Sequence, residues 1–573
     1  MSAETFLALK ASEAVQALYG QQADASQIQV GPTNKGFEGD CTIVVFPLLR
    51  ISRKGPEQTA GEIGAWLQQN CPEVGSFNVV KGFLNICLSG AFWTETLQQI
   101  SADACFGKLP STGKTIMVEF SSPNTNKPLH LGHVRNNLLG SSVSDILKAA
   151  GNNVIKATLV NDRGVHICKS MYAWQKRFNG ATPQSRSQKG DHLVGDCYVE
   201  YAKMEKEDPS VLDDVHKMLV DWEQGDPAVR SLWQMMNQWV FDGFEQTYKA
   251  LGISFDKTYY ESQTYLLGKE LVQKGLDMGV FVKDPDGSVW CDLTADGLDR
   301  KLLLRSDGTS VYITQDIGTA ERRFSECNLD SHIYVVGNEQ DYHFQVLKLV
   351  LKKLGFDWAD RIYHLSYGMV ELPEGKMKSR EGTVVDADDL IEKMYEEAKA
   401  TSEASGKLDD LGAGEKDALY HSIGLGALKY FILKVDPKKT MLFDPKESID
   451  FNGNTGPFIQ YTHARIKSIL RKASTKAAIA DGIALQAKEI RLVQLLSSYP
   501  SKLQEAADKF SPALLANYSY ELAKEFNQYY HDTPVLKEQD PAVLSMRLAL
   551  ISQVARILEM AMGLLGIQLP DRM

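Results

Sequence analysis

The sequence predicts an α/β protein in three parts: a small α+β domain, a parallel-sheet domain interrupted by an insertion, and an all-α bundle. The chain has 573 residues, which is too long for one hydrophobic core. Strand and helix patterns alternate in its middle, and the last part shows helical periodicity without strand patterns. The expected boundaries are 1–110, 111–450 and 451–573, with the insertion at about 170–300.

The central part begins with a strand–helix–strand unit. A buried strand, TIMVEF at 115–120, is followed by a loop, a helix that ends at the glycine stop Gly151, and the strand NVIKATLV at 153–160. Such a unit starts a Rossmann-type nucleotide-binding sheet. The segment 170–300 is rich in Trp, Tyr and acidic residues and breaks the alternation. Strands are expected to resume with SVYIT (310–314), HIYVVG (332–337) and RIYHLSYGMV (361–370).

Composition places the chain among ordinary globular proteins, with 43% hydrophobic and 24% charged residues. No apolar run approaches the ~20 residues of a membrane span, and the start lacks a signal-peptide pattern, so we expect a cytoplasmic protein without membrane contact. The eight cysteines form no CxxC pair, which favours free thiols over disulfides or zinc. The net charge is −11, but residues 451–573 carry 14 Lys and Arg against 11 Asp and Glu. This local basic excess favours an RNA-facing C-terminal part.

The motif His130-Leu131-Gly132-His133 lies between the first strand and the long helix. Backbone N–H groups and the helix dipole favour phosphate there, and Gly132 would let a nucleotide approach the backbone closely. His130 and His133 can donate to phosphate oxygens as charge builds. A capped helix with two surface histidines, or a pair of metal-binding histidines at i and i+3, would have the same sequence. The flanking strand and helix favour the nucleotide site.

A second basic segment, GKMKSREG at 375–382, follows the last predicted strand. Glycines flank its lysines, which suits a loop that closes over a triphosphate, although a solvated turn has the same composition. Because the first motif lies at the first strand–helix turn and this one follows the last strand, the two form halves of one site. The segment GKLPSTGKT at 107–115 is not a P-loop, because five residues separate its glycines and it precedes its strand.

These two motifs resemble the HIGH and KMSKS signatures of the class I aminoacyl-tRNA synthetases. Further stretches look specifically like the arginyl branch of that class, from about residue 80 to the last residue, with 170–250 matching least well. They are VEFSSPNTNKPLHLGHVRNN, LGISFDKTYYES, VYITQDIG, VVGNEQDYHF, KMKSREGTVVDADDL, GPFIQYTHARIKSIL and LLGIQLPDRM.

The resemblance implies the activity of an arginine–tRNA ligase. ATP activates L-arginine to arginyl-adenylate, and the arginyl group passes to the terminal adenosine of tRNA(Arg). ATP with Mg²⁺ enters as a substrate complex, and we expect no permanent cofactor, no protein-built metal site and a monomer. The parts before and after the catalytic domain would contact tRNA, the last as an anticodon-binding bundle of the DALR type.

The resemblance also implies which residues bind ATP. They are His130, Gly132, His133, Gly337, His343, Lys376, Met377 and Ser379. His130, His133 and Lys376 would stabilise the charge of the reacting phosphates. The second lysine of KMSKS is replaced here by Ser379, and Lys378 stands one place earlier. Either Lys378 reaches the phosphates from a shifted register or Lys127, three residues before His130, supplies the catalytic cation.

Arginine recognition needs carboxylates, because a guanidinium is planar, always charged and rich in donors. The resemblance places Asp316 and Glu261 on the guanidinium and packs Tyr312 on its plane. A helix N-cap for Asp316 and a surface salt bridge for Glu261 are the structural alternatives. The residues implied around the α-amino and α-carboxylate groups are Glu119, Ser122, Asn124, His130 and Gln340.

The predicted tRNA contacts lie at both ends of the chain. Tyr461, His463 and Arg465 combine aromatic and basic side chains, as suits splayed anticodon bases, although a plain amphipathic helix has the same pattern. Phe83 and Asn85 match the part of the family's N-terminal domain that contacts the tRNA D-loop, and a buried strand accounts for Phe83 equally well.

Two other functions are compatible with parts of this sequence. A class I synthetase for another amino acid would lack the Glu119, Ser122 and Asn124 set and the Asp316 carboxylate. A non-catalytic RNA-binding relative is disfavoured by the intact motifs.

Overall fold

The structure is a computed structural model that describes residues 2–34, 36–371, 385–404, 411–480 and 482–573. The predicted site residues Lys376, Met377, Lys378 and Ser379 lie outside these ranges. Within the described residues, the chain combines an N-terminal α+β part, a central parallel sheet and a C-terminal helical bundle. The predicted fold class is confirmed.

The N-terminal part is an antiparallel sheet in the order β1-β2-β4-β3, covered by helices. Its inner face buries Ile43, Leu84 and Ile86, which lie opposite apolar residues of the helices such as Leu7 and Ile63. The alternation of buried and partly exposed residues along β2 is the pattern of a sheet with one covered face. Strands are β1 (Val30–Pro32), β2 (Cys41–Val44), β3 (Val74–Val80) and β4 (Phe83–Leu88), and helices are α1 (Ala3–Tyr19), α2 (Leu49–Ser52), α3 (Pro56–Asn70) and α4 (Gly90–Ala102).

The central sheet has five parallel strands in the order β12-β11-β5-β6-β7. Chain order reverses between β5 and β11, and ligands of such sheets bind beyond the carboxyl ends of the strands at this reversal. Helix α5 follows β5 and ends as predicted, with Gly151 at a φ of +88°. The elements are β5 (Thr115–Glu119), α5 (Leu131–Ala149), β6 (Asn153–Val160), β7 (Lys257–Tyr260), α13 (Tyr312–Cys327), β11 (Ser331–Gly337), α14 (Asp341–Lys353) and β12 (Ile362–Tyr367).

Two sequence-based expectations for the central part were wrong. SVYIT is not a strand: helix α13 begins at Tyr312 and buries Ile313, Ile317, Ala320 and Phe324 at helical spacing. That tertiary packing overrides the β propensity of the first residues. The segment 170–300 is also not one continuous insertion, because β7 joins the edge of the central sheet beside β6.

The inserted segments lie on either side of β7. The first is helical, with α6 (Val165–Arg177), α7 (Pro183–Arg186), α8 (Gly190–Glu207), α9 (Val211–Glu223) and α10 (Pro227–Leu251). The second has α11 (Glu261–Thr264), α12 (Lys269–Asp277) and a small antiparallel sheet of β8 (Val282–Lys283), β9 (Val289–Cys291) and β10 (Lys301–Leu304).

The C-terminal part is helical and packs against both other parts. A short pair of strands, β13 and β14, joins the end of the central sheet region to its first helices. Helix α22 is long and apolar enough to cross a membrane by length and composition alone, but most of it is buried inside the bundle. The elements that connect the central sheet to the bundle are β13 (Val370–Glu371), α15 (Ala387–Ala404), α16 (Ala413–Leu433), β14 (Met441–Leu442) and α17 (Pro445–Ser448). The bundle consists of α18 (Gly456–Lys472), α19 (Ala487–Ser497), α20 (Tyr499–Asp508), α21 (Pro512–Asp532) and α22 (Pro541–Gly563).

Candidate active site

Several predicted site residues in the described part of the chain lie beyond the carboxyl ends of the parallel strands. His130 follows β5 through a short loop, Glu261 directly follows β7, and Gly337 ends β11. The loop after β5 begins with Ser121 and Ser122 at φ values of +73° and +47°, a conformation that L-residues adopt rarely. This turn directs the chain across the sheet edge, where it places the HLGH motif at the start of α5.

The HLGH motif caps its own helix. The Gly132 N–H donates to His130 Nδ1 and the His130 N–H donates to His133 Nδ1, both at 3.1 Å. A Cβ on Gly132 would lie 2.9 Å from the His130 ring, so this glycine leaves room for the imidazole. The Leu131 N–H is also occupied, by Val385 O. In this state these backbone N–H groups are occupied, and the His130 imidazole lines the adjacent cavity.

Both histidines are held neutral. Burial, with the nearby Lys127 ammonium, lowers the pKa of His130 to about 4 and also lowers the pKa of His133. Since each Nδ1 accepts a backbone hydrogen bond, the proton of each neutral ring resides on Nε2. Burial likewise lowers the pKa of Lys127. The result is two neutral donors beside one partly buried cation, which suits the stabilisation of developing phosphate charge.

Lys127 and His130 line a cavity of about 360 Å³ between the loop after β5 and helix α8. Asn124, exposed at the rim, forms a bridge with Asn161 at the end of β6 and lines the same cavity. His192 contributes the opposite wall. The cavity therefore joins a predicted arginine-binding residue and the predicted phosphate-binding residues in one space.

The predicted guanidinium pocket contains a pair of carboxylates. The pKa of Glu261 is raised to about 7, mainly by burial and also by the nearby Asp162 and Asp316, although Arg163 acts in the opposite direction. Asp316 lies one helical turn after Tyr312 on α13, and the Tyr312 side chain is 82% exposed and open to a ligand. The acid groups that lie close together here disfavour the ionisation of Glu261, and a bound cationic ligand would relieve this repulsion.

His343, predicted at the ATP site, contacts a residue of the predicted arginine pocket in this structure. Its Nε2 lies 2.6 Å from Asp316 Oδ2. Gln340 is exposed in the turn that joins β11 to α14, close to Gly337 at the strand end. The β11–α14 connection therefore approaches both halves of the predicted site.

Glu119, predicted to bind the α-amino and α-carboxylate end of arginine, is buried. Its carboxylate is 6% exposed, and Oε2 is 2.6 Å from Nη1 of the buried Arg323. Burial alone would raise the pKa of Glu119, but the Arg323 guanidinium holds it below its usual value. Ser122, half-buried, donates its N–H to Thr158 Oγ1 at 3.3 Å. In this state Glu119 is a partner of the protein's own arginine beneath the pocket.

The N-terminal tRNA prediction divides into an exposed and a buried residue. Phe83 is 42% exposed and makes an edge contact with Phe46, which is also exposed. Asn85 is 3% exposed and bonded to Thr42 and Asn78. Asn85 bonds within the sheet and also lines a cavity of about 310 Å³ together with Phe83, so its contact with tRNA stays a prediction.

The C-terminal tRNA prediction also needs one correction. His463 is fully buried, with Nδ1 3.0 Å from Pro570 O and Nε2 2.7 Å from Glu559. Both ring nitrogens are engaged, so its side chain cannot read a base here. Tyr461 and Arg465 are partly exposed, and the guanidinium lies over the tyrosine ring with 4.8 Å to its centroid.

Sequence reasoning missed the residues that support the site. Asp162 is buried and accepts from the Ser262 N–H and hydroxyl, which fixes the start of α11 beside Glu261. Arg323 was not singled out, although a charged residue on the buried face of a helix was a signal. An open groove of about 590 Å³ on the bundle was also missed, because its lining is spread along the sequence. That groove includes Phe458, Lys488, Tyr520, Lys524 and Asn527.

Two groups of side chains in the described part of the chain have the spacing of metal ligands. They are Asp191, His192 and Asp388, and His463, Glu559 and Asp571. In each, a lysine already lies among the carboxylates: Lys189 is 2.5 Å from Asp388, and Lys467 is 2.8 Å from Glu559. In each group this ammonium pairs with both carboxylates.

Comparison with known proteins agrees with the geometry. Residues 96–444 match the family model of the class I tRNA synthetase (R) catalytic domain, and residues 459–573 match the DALR anticodon binding domain. The chain is 55% identical to an arginine–tRNA ligase of Bacteroides thetaiotaomicron, with both chains fully covered, and 54% identical to one of Parabacteroides distasonis, with 98% of each covered. It superposes on the Thermus thermophilus arginyl-tRNA synthetase with a TM-score of 0.81 at 25% identity, again over both whole chains. The chain therefore belongs to the arginyl-tRNA synthetase family of class I tRNA synthetases.

Proposed function

We propose that this protein is an arginine–tRNA ligase that acts as a cytoplasmic monomer, without membrane contact, on ATP with Mg²⁺, L-arginine and tRNA(Arg). An oxygen of the arginine carboxylate attacks the α-phosphorus of ATP, which forms arginyl-adenylate and releases pyrophosphate. The terminal ribose 2′-OH of the tRNA then attacks the arginyl carbonyl, and AMP leaves. The observation that supports this best is the pairing, at one sheet edge, of neutral imidazoles beside Lys127 with the carboxylates of Glu261 and Asp316.

On the phosphate side, His130 and His133 donate Nε2–H to oxygens of the α-phosphate as negative charge develops. Lys127 supplies the positive charge, since it lies in the same cavity and its ammonium is partly desolvated. An ammonium in a water-poor site interacts more strongly with phosphate than one in bulk solvent. Lys376 and Lys378 would hold the outer phosphates, with Gly132, Gly337, His343, Met377 and Ser379 around the nucleotide.

On the arginine side, the guanidinium donates to Asp316 and Glu261 while Tyr312 packs on its plane. His343 orients Asp316 through their 2.6 Å contact. Asn124, Ser122 and Gln340 would hold the α-amino and α-carboxylate groups. Glu119 would support this α-amino and α-carboxylate site from its buried position, where the Arg323 guanidinium balances its charge.

Contact with tRNA would come from both flanking parts of the chain. Phe83, with Phe46 and Phe37, presents exposed aromatic rings on the N-terminal sheet. On the bundle, Tyr461 and Arg465 lie on α18, and Asn527, which bonds Arg465, lines the open groove with Lys524. Aromatic and basic groups in one groove suit unstacked anticodon bases.

The test is aminoacylation of total tRNA with each of the twenty amino acids in turn. We expect charged tRNA with arginine, in the presence of ATP, and with none of the other nineteen amino acids. Charging by another amino acid, with none by arginine, would assign the chain to a different specificity. Failure to charge any tRNA, with tight tRNA binding retained, would indicate a non-catalytic RNA-binding protein.

A further inference from the structure

A cluster of charged side chains lies on the far wall of the cavity that His130 lines. Its centre is Asp388 at the start of α15, which accepts from His192 Nε2 at 3.0 Å and from Lys189 Nζ at 2.5 Å. The Thr247 hydroxyl donates to the other oxygen of Asp388 at 2.8 Å. Since His192 belongs to α8, Thr247 to α10 and Lys189 caps α8, the cluster joins the inserted helices to α15.

The start of α15 is also joined to the HLGH turn through the backbone. Residues 385–387 run antiparallel to residues 129–131: the Leu131 N–H donates to Val385 O at 3.0 Å and the Ala387 N–H donates to Leu129 O at 2.9 Å. His130 and Asp386 are the bridge partners at the centre. Asp386 in turn accepts the Asp388 N–H at 2.8 Å, so the two acids move as one unit. The backbone position of His130 thus depends on where Asp388 is held.

His192 is the member of the cluster that reaches both acids. Its Nε2 lies 3.0 Å from Asp388 and 3.6 Å from Asp386, and its ring lines the cavity beside the HLGH turn. The groups that face it are Asp191 and Lys189 from α8 and the two acids from α15. Hydrogen bonding to Asp388 raises the pKa of His192, which favours the imidazolium form.

We propose that His192 is a positioning residue for the adenylation step: through Asp386 and Asp388 it fixes the HLGH turn and thereby the place where His130 presents its Nε2–H. The proposal rests on the proposed role of His130. Lys189 and Thr247 still hold Asp388 when the imidazole is removed, so the fold survives, but the Nε2–H donor that lies between Asp386 and Asp388 is lost. A displacement of about 1 Å in a reacting group is enough to cost up to about 100-fold in rate.

The first experiment compares three substitutions at this position. His192→Ala should lower kcat of arginine charging about tenfold or more, with the KM for arginine and for tRNA within twofold of wild type. His192→Gln should restore kcat to within about threefold, because its amide nitrogen reaches as far as imidazole Nε2, whereas His192→Asn, with a shorter reach, should not. His216→Ala, which removes an exposed histidine of the same insertion, is the control and should be unchanged.

The second experiment is a double-mutant cycle with His130. His130→Ala should be slow, and adding His192→Ala to it should change kcat less than twofold, because the positioned group is already absent. A wild-type kcat in His192→Ala, equal rates in the Gln and Asn variants, or fully multiplicative losses in the double variant would each overturn the proposal. A wild-type rate in His130→Ala alone would instead show that the role of His130 is wrong. If His192→Ala does not fold, the Gln and Asn pair makes the same comparison.

Discussion

Arginine binding should depend on pH through Glu261. Burial raises the pKa of this carboxyl to about 7 in the unliganded protein, whereas an exposed glutamate titrates near 4.5. A guanidinium binds the ionised form, so arginine must displace a proton from any enzyme molecule in which Glu261 is protonated. The KM for arginine should therefore rise as pH falls through 7 and level off above it.

The size of the effect follows from the pKa. With a pKa of about 7, roughly a tenth of the enzyme has Glu261 ionised at pH 6 and about nine tenths at pH 8. The KM for arginine should then be about tenfold higher at pH 6 than at pH 8 at saturating ATP and tRNA. The substrate guanidinium stays charged throughout. His130 and His133 stay neutral, because their pKa values are depressed.

The assay is initial-rate aminoacylation from pH 6 to 8 with wild type and Glu261→Gln. The variant should have a raised KM that no longer changes with pH. It should also melt at a higher temperature at pH 8 than wild type, because an ionised Glu261 destabilises the unliganded fold. A wild-type KM that changes less than twofold, or an equal pH dependence in the variant, would refute the assignment of Glu261 to the pocket.

Four further substitutions separate the parts of the site. Asp316→Asn should raise the KM for arginine about 30-fold. This corresponds to about 2 kcal/mol, the lower end of the roughly 2–5 kcal/mol lost when one partner of a charge pair is truncated, because the Asp316 side chain is 32% exposed. Glu321→Gln on the same helix is the control, and a KM of the Asp316→Asn variant within twofold of wild type would show that Asp316 is not in the pocket. Lys127→Ala should lower kcat about 100-fold with little change in the KM for arginine, and Lys378→Ala should be milder. The opposite ranking would assign the catalytic cation to the second motif. Lys524→Ala should raise the KM for tRNA several-fold and leave the KM for arginine unchanged, and equal effects on both would argue against an RNA groove.

The sequence was informative where local pattern determines structure. The strand 153–160, the glycine stop at Gly151 and the helix-initiating HLGH turn all follow from short-range rules, and each is present as expected. The strand prediction for SVYIT was wrong because Ile313 begins a buried helical face that continues through Ile317 and Ala320, beyond the predicted strand.

Burial decided the remaining differences at the site. His463 has a residue type that suits RNA contacts, but it is enclosed by Glu559 and Pro570, which lie more than 90 residues further along the chain. Glu119 likewise meets Arg323 only after α13 returns to the sheet. His192 could not be found from the sequence, because its partner Asp388 lies 196 residues further along the chain.

Discrimination between arginine and citrulline tests the central claim most directly, because citrulline replaces the guanidinium by an uncharged group of almost the same shape. We expect wild type to prefer arginine by at least about 10³-fold in kcat/KM, since citrulline leaves two carboxylates without a cation. The preference should fall at least about 100-fold in the double variant with Glu261→Gln and Asp316→Asn. An unchanged preference in that variant would show that other residues read the guanidinium.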